Sequence, residues 1–257
     1  MSDTENACLA KEWFYPFVMP NGQTVPSTHQ HQLDLIHSTR TKMLNDFIDR
    51  HFGMRTEKKI NAIDLACHQG WFSSQLIKLG FENVLATDAR DIHIADAQLI
   101  FKALNQFDKI KTLQSDVHSL DANILGQFDL VLCFGLIYHL ENPIGALRKA
   151  FALCKNVCLI ETQIAPGQTG VVDYGSYRFV KSIEASFVVI DETHETHGSE
   201  ASTQGICLIP SLEGLIWILK KIGFSRVDVV PVPADGYEQL LHGKRAMLLR
   251  TSEFLVG

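Results

Sequence analysis

From Lys59 onward, short apolar runs alternate with longer stretches in which apolar residues return every three or four positions. The runs read as strands: Ile60–Leu65, Asn83–Thr87, Ile110–Gln114, Phe128–Phe134 and Val157–Glu161, then Arg226–Val230 and Ala246–Leu249. Most are continuously apolar rather than alternating, as expected of strands covered on both faces. Between them, one helical pattern spans Trp71–Leu79 and stops at Gly80, and another covers Ile92–Leu104. A third opens with Asn142 as N-cap and Pro143 at the first helical position, where a missing N–H costs nothing. The clearest is Ser211–Ile222, with Leu212, Leu215, Ile216, Leu219 and Ile222 on one stripe and Gly223 at its end. Seven strands with interleaved helices predict a doubly wound α/β protein with a mostly parallel sheet.

Two stretches fall outside the alternation. Residues 1–58 hold an aromatic cluster, Trp13-Phe14-Tyr15-Pro16-Phe17, and a helix-like segment Leu33–His51. They are expected to form a cap that helps shape a substrate pocket on the main domain, residues 59–257. Within that domain, residues 163–210 are rich in Gly, Ser, Thr and acidic residues, and a connection this long is expected to be a lid. The rival role for it is surface decoration or a homodimer contact.

Charge narrows the partners. The chain has 257 residues with 23 basic and 29 acidic side chains, a net charge of −6, which argues mildly against nucleic acid as the main partner. The six cysteines form no C-x-x-C pair and no zinc-ligand spacing. The N-terminal stretch is charged, and no run approaches the roughly 18 apolar residues of a membrane span. A reduced, cytoplasmic protein with free thiols and no membrane partner is expected. Cys67 and Cys133 are expected to be small packing residues.

In an open α/β sheet, ligands sit beyond the carboxyl ends of the strands, so the loop after the first strand is the first place to look. Asp64-Leu65-Ala66-Cys67-His68-Gln69-Gly70 has the spacing Asp-x-Gly-x-Gly-x-Gly, with Ala66 and His68 in the first two glycine slots. A dinucleotide pyrophosphate needs close backbone approach there, which a bulky His68 obstructs. S-adenosylmethionine has no phosphate. It needs a small residue under its amino-acid moiety, the place of Ala66, and a carboxylate near its α-ammonium, the place of Asp64. The second strand ends at Asp88, followed by Ala89, and an acidic group there is placed to accept from ribose hydroxyls. After the third strand, Asp116 offers a carboxylate to the adenine amine, with Val117 against the ring. The fourth strand exits through Cys133-Phe134-Gly135-Leu136-Ile137-Tyr138-His139.

These four segments together resemble the class I S-adenosylmethionine-dependent methyltransferases, over residues 60–162. The resemblance implies a Rossmann-like seven-stranded sheet and S-adenosylmethionine as cofactor, with S-adenosylhomocysteine as product. The segment FDLVLCFGLIYHLENPIGAL, the Glu161-Thr162 pair and IPSLEGLIWILKKIGF further resemble the tRNA wobble-uridine carboxymethyltransferases and their smaller relatives in small-molecule metabolism. That likeness implies that Tyr138 lies against the reactive end of the cofactor and that Phe134 contacts it. The tRNA enzymes are longer at the N-terminus and hold carboxy-S-adenosylmethionine partly through basic and aromatic residues upstream of the first strand. Arg40 and Lys42 are the basic residues here that offer themselves for that place.

Tyr138 and His139 stand where an acceptor nucleophile should meet the methyl group. Either acts as a base or orients the acceptor, or Tyr138 only packs over the cofactor and His139 only caps the next helix. Trp13, Phe14, Tyr15 and Phe17 either line an acceptor pocket, with cation–π contact to the sulfonium, or staple the N-terminal segment to the sheet. Tyr177 and Arg178 are expected to face the acceptor from the 163–210 segment. His29, His31 and His37, and the pair His194 and His197 beside Asp191 and Glu192, are metal-ligand types. Their polar loops read as solvated surface, so no metal is expected. The reading is methyl transfer to an O or N nucleophile on a small molecule. The alternatives are methyl or carboxymethyl transfer to tRNA, or a non-catalytic cofactor-binding module.

Overall fold

A computed structural model describes residues 2–28, 32–53, 59–173, 175, 180–192, 202 and 205–251. Its centre is a seven-stranded sheet of β1 (Asn61–Leu65), β2 (Asn83–Asp88), β3 (Ile110–Gln114), β4 (Phe128–Phe134), β5 (Cys154–Gln163), β10 (Arg226–Val229) and β11 (Arg245–Thr251), in the order β10-β11-β5-β4-β1-β2-β3. Only β11 runs antiparallel to its neighbours in this sheet; every other adjacent pair is parallel. The doubly wound sheet expected from the apolar pattern is therefore present.

Successive side chains on a strand point to opposite faces, and here both faces are dry. Ala62, Leu130, Leu132 and Leu159 enter one core with Phe72 and Leu76 of α3 (Trp71–Lys78), Ile100 and Phe101 of α4 (Asp91–Ala103), and Phe47 of α2 (Gln32–His51). Ile63, Val131, Cys133 and Ile160, one position along, enter the other with Leu147 of α6 (Pro143–Leu153) and Leu215 and Leu219 of α7 (Leu212–Ile222). A short α5 (Ala122–Leu125) precedes β4, and α8 (Glu238–Leu241) precedes β11. Asn142 and Ser211 cap α6 and α7 by accepting from the N–H groups of Gly145 and Gly214.

The N-terminal segment opens with α1 (Asp3–Leu9), whose capping box pairs Ser2 with Glu5. Trp13, Phe17 and Met43 are buried in the same core as α3 and α4, so this segment packs directly on the sheet. The 163–210 stretch carries paired strands that its composition hid. β6 (Gly170–Asp173) pairs with β7 (Val180–Ile183), and β8 (Phe187–Asp191) with β9 (Ile206–Pro210), both antiparallel. Runs such as Phe187-Val188-Val189-Ile190 supply the β-branched residues that favour strands.

Strand order reverses between β1 and β4, so the loops leaving their carboxyl ends diverge and open a crevice. Antiparallel β11 enters the sheet beside β5 with Arg245 opposite Gln163, which sets an arginine at that same end.

Candidate active site

The loop after β1 takes a left-handed conformation at all three glycine slots: Ala66 (φ 59°), His68 (φ 51°) and Gly70 (φ 83°). For a residue with a Cβ this costs roughly 1–2 kcal/mol. Backbone bonds offset the cost: Cys67 N–H donates to Thr87 O (2.8 Å), Gly70 N–H to Cys67 O (2.8 Å) and His68 N–H to Asp88 Oδ2 (2.9 Å). Gly70 has a packing role of its own. A Cβ there would lie 2.4 Å from the Phe101 ring, so the glycine lets α3 begin against α4. It is not among the residues that border the cavity described next.

A cavity of about 950 Å³ opens over the carboxyl ends of the strands. Asp64, Ala66 and His68 border it from the first loop, Asp88 and Ala89 from the second, Asp116 and Val117 from the third, and Phe134, Tyr138 and His139 from the fourth. Phe14, Tyr15, His37 and Arg40 close it from the N-terminal segment. Trp13, expected in the acceptor pocket, is not there. It is fully buried and its indole N–H donates to Cys8 O at 2.8 Å. Phe14 and Tyr15 border the cavity, while Trp13 and Phe17 on either side are buried in the core. The Phe14 N–H donates to Gln69 Oε1 at 2.8 Å, fixing this segment to the first loop. Tyr177 and Arg178, with His29, His31, His194 and His197, lie outside the described residues.

Three carboxylates line one wall. Asp88 is buried, and burial alone would raise its pKa. The His93 ring (Nδ1 to Oδ1, 3.1 Å) and the N–H groups of Arg90 and His68 hold it below the usual carboxylate range instead. A carboxylate has about four acceptor sites, so capacity remains for a ribose hydroxyl. Asp64 lies deeper, and burial pushes it up to about 7 although the Ser73 hydroxyl donates to it at 2.7 Å. Asp116 is exposed and oriented by His118, whose N–H and ring Nδ1 lie 2.7 and 2.9 Å from Oδ1. The ring's Nε2 is 2.9 Å from Asn142 O. Three carboxylates of different burial border the cavity, and S-adenosylmethionine has three groups that call for acceptors: an ammonium, ribose hydroxyls and an adenine amine. Cys67 and Cys133 are buried, and burial raises both thiols, Cys133 to about 12, as fits packing residues.

At the other end of the cavity Glu161 is fully buried between two arginines, Arg40 (2.8 Å) and Arg245 (2.9 Å). Burial would raise its carboxyl, but the two guanidiniums hold it below its ordinary value. Arg245 also lies 4.9 Å over the Tyr138 ring and donates to the Tyr138 hydroxyl at 3.3 Å. Next to Tyr138, the His139 Nδ1 lies 2.8 Å from both carboxylate oxygens of Glu192. Glu161, Arg245, His93 and Glu192 were not singled out from the sequence as site residues. A Glu-Thr pair closing the fifth strand was the one available signal, for Glu161. His93 reaches Asp88 from the first turn of α4, five positions on, whereas Arg245 and Glu192 arrive through strand pairing and through the insertion, which local patterns do not record. Among the described residues, no group of three His, Cys, Asp or Glu side chains is placed to hold a metal ion, and no helix is long and apolar enough to cross a membrane.

Known proteins bear on this geometry. Residues 35–229 match the family model described as a methyltransferase domain. The tRNA U34 carboxymethyltransferase of Haemophilus influenzae (strain PittEE) is 21% identical over 179 residues, covering 69% of this chain and 49% of that protein. The enzyme of the same name from Mannheimia succiniciproducens is 24% identical over the same shares. This chain thus spans about half the length of these curated relatives. Among solved structures, the N-terminal domain of EvdMO1 in the presence of SAH and D-fucose superposes with a TM-score of 0.70 at 17% identity, covering 98% of both chains. Magnesium protoporphyrin IX methyltransferase from Synechocystis PCC 6803 with bound SAM superposes with a TM-score of 0.56 at 13% identity, over 86% of this chain and 82% of that one. At such identities the superpositions speak for the fold. The family match takes in the first loop, Asp88, Asp116 and Tyr138 alike: this chain belongs to the methyltransferase-domain family, with the class I fold that uses S-adenosylmethionine.

Proposed function

We propose that the protein transfers the methyl group of S-adenosylmethionine to an O or N nucleophile on a small-molecule acceptor. The observation that carries this is a single cavity joining the three carboxylates to Tyr138, His139 and the arginine pair, walled by Phe14, Tyr15 and His37. When bound, the cofactor supplies an electrophilic methyl carbon on a sulfonium. Asp88 holds the ribose, Asp64 the α-ammonium, and Asp116 and Val117 the adenine, while Ala66, His68 and Phe134 border the cofactor. Tyr138, Arg40 and Tyr15 face the acceptor. Displacement at a methyl carbon is served mainly by alignment, so a shaped recess supplies much of what the reaction needs. Residues 1–58 act as a cap on the 59–257 domain, and residues 163–210 as its lid. The net charge of −6 and the co-occurrence of SAH and D-fucose in the EvdMO1 domain support an acceptor of small-molecule size.

A second reading is carboxymethyl transfer to tRNA. Two buried cations around one carboxylate, against Tyr138, leave one positive charge that would suit a carboxylated donor. Incubation with S-adenosylmethionine or carboxy-S-adenosylmethionine, each labelled at the transferred carbon, together with a small-molecule metabolite extract and bulk tRNA separates the two. Label in the small-molecule fraction is expected. Label confined to RNA would contradict the first reading.

A further inference from the structure

His139 sits in the tight turn Ile137–His139 after β4, bordering the cavity. Its partner Glu192 is 53 positions away, just past β8 in the inserted segment, and is 3% exposed. The carboxylate is held by several donors: the His139 ring at 2.8 Å, Ser202 N–H at 2.8 Å and the Cys207 thiol at 3.3 Å. Burial would raise its pKa, but the hydrogen bonds from His139, Ser202 and Cys207 hold it below the ordinary carboxylate value, so it is ionised. An ionised carboxylate only accepts hydrogen bonds. Nδ1 must therefore carry the proton, and in the neutral ring the lone pair lies on Nε2.

A purely structural link would not need this charge. The insertion is already tied to the same turn by Leu208 N–H donating to Leu140 O at 3.1 Å. Burying an ion costs several kcal/mol unless it is well paired, so an ion kept beside an imidazole in a reaction cavity points to chemistry. A base oriented by a third group is the arrangement that activates weak nucleophiles. Carboxylates and thiolates reach a methyl donor without a proton to lose, but an alcohol or phenol does not.

We propose that Glu192 is a positioning residue that fixes the Nδ1–H tautomer of His139, that His139 Nε2 is the general base, and that the acceptor is a hydroxyl compound. This rests on the small-molecule reading above. In the step, the acceptor oxygen bonds to the methyl carbon as the carbon–sulfur bond breaks with its electron pair on sulfur, and the hydroxyl proton passes to His139 Nε2. The inserted segment then acts on the chemistry through one side chain, and displacing Glu192 releases the base.

Two measurements on the full chain test this. Nitrogen-15 NMR of the histidines should show His139 as the Nδ1–H tautomer in the wild type, shifting toward Nε2–H in Glu192→Ala. Turnover to S-adenosylhomocysteine is then followed with catechol, 4-nitrocatechol, D-fucose and benzoate as probe acceptors, and with bulk tRNA. Glu192→Gln should lower catechol turnover at least about a hundredfold, the scale of general-base catalysis. It should spare 4-nitrocatechol, which arrives already ionised, and leave S-adenosylhomocysteine affinity unchanged. A structural role would lower both catechols equally. Equal losses, an Nε2–H tautomer in the wild type, or turnover of none of the hydroxyl probes overturns the inference. Turnover of benzoate alone overturns it while leaving the small-molecule reading standing, whereas turnover of tRNA alone removes that reading too.

Discussion

The backbone N–H of His68 donates to the Asp88 carboxylate at 2.9 Å, which makes the loop after β1 and the acidic end of β2 one unit. The same residue has a left-handed backbone, and its ring lies 4.0 Å from that of His93, itself bonded to Asp88. His68 is thus a glycine slot filled by a side chain that packs against His93, beside the Asp88 carboxylate.

His68→Gly should therefore be tolerated. Relief of roughly 1–2 kcal/mol of left-handed strain is offset by the chain entropy of glycine and the lost ring contacts. Affinity for S-adenosylhomocysteine should stay within a few fold. His68→Val keeps a Cβ and adds branching in a region β-branched residues avoid, and urea denaturation should show it less stable than either. A glycine variant with much weaker cofactor binding would show that the imidazole contributes directly.

The sheet was legible because its signal is local. Leu130–Phe134 is a run of five apolar residues, and the limits of Phe128–Phe134 and Ile110–Gln114 in the structure are those the pattern predicts. The carboxylates Asp64, Asp88 and Asp116 were legible because each lies at or within two residues of a strand's carboxyl end, and all three border one cavity. Arg245 and Glu192 were not. Each depends on a pairing across the fold, β11 against β5 or the insertion against the turn after β4, and no spacing encodes it. Trp13 was misplaced because an aromatic run says nothing about which of its neighbours turn inward.

Glu161→Gln would strand two buried guanidiniums. Removing one partner of a buried ion network costs about 3–5 kcal/mol, so chemical denaturation should show a loss of that size. Replacing Arg40, Glu161 and Arg245 together by apolar residues of matching volume should cost less than the single change. A single variant as stable as the wild type would mean that water reaches the triad.

Asp64 links pH to both folding and cofactor. Its folded pKa, about 7, lies above the ordinary value, so the folded state binds more protons than the unfolded one across that interval. Its contribution to stability is present below the unfolded pKa and falls as pH rises toward 7. The cationic α-ammonium prefers the ionised carboxylate, so cofactor affinity should increase from about pH 6 to 8. Asp64→Asn should flatten both trends, measured by denaturation and by binding titrations. Ser73→Ala removes a bond that lowers this pKa and should shift the affinity rise to higher pH. A wild-type affinity that is flat across this range would remove Asp64 from the ammonium site.

Calorimetric titration of S-adenosylhomocysteine into wild type and Asp88→Ala measures whether this cavity holds the cofactor. The cavity over β1, β2 and β3 predicts one equivalent bound by the wild type. In the variant, a lost charged acceptor worth on the order of 1.5–3 kcal/mol should weaken affinity at least about tenfold, with folding retained. Equal affinity in the two proteins would contradict the placement of the cofactor in this cavity.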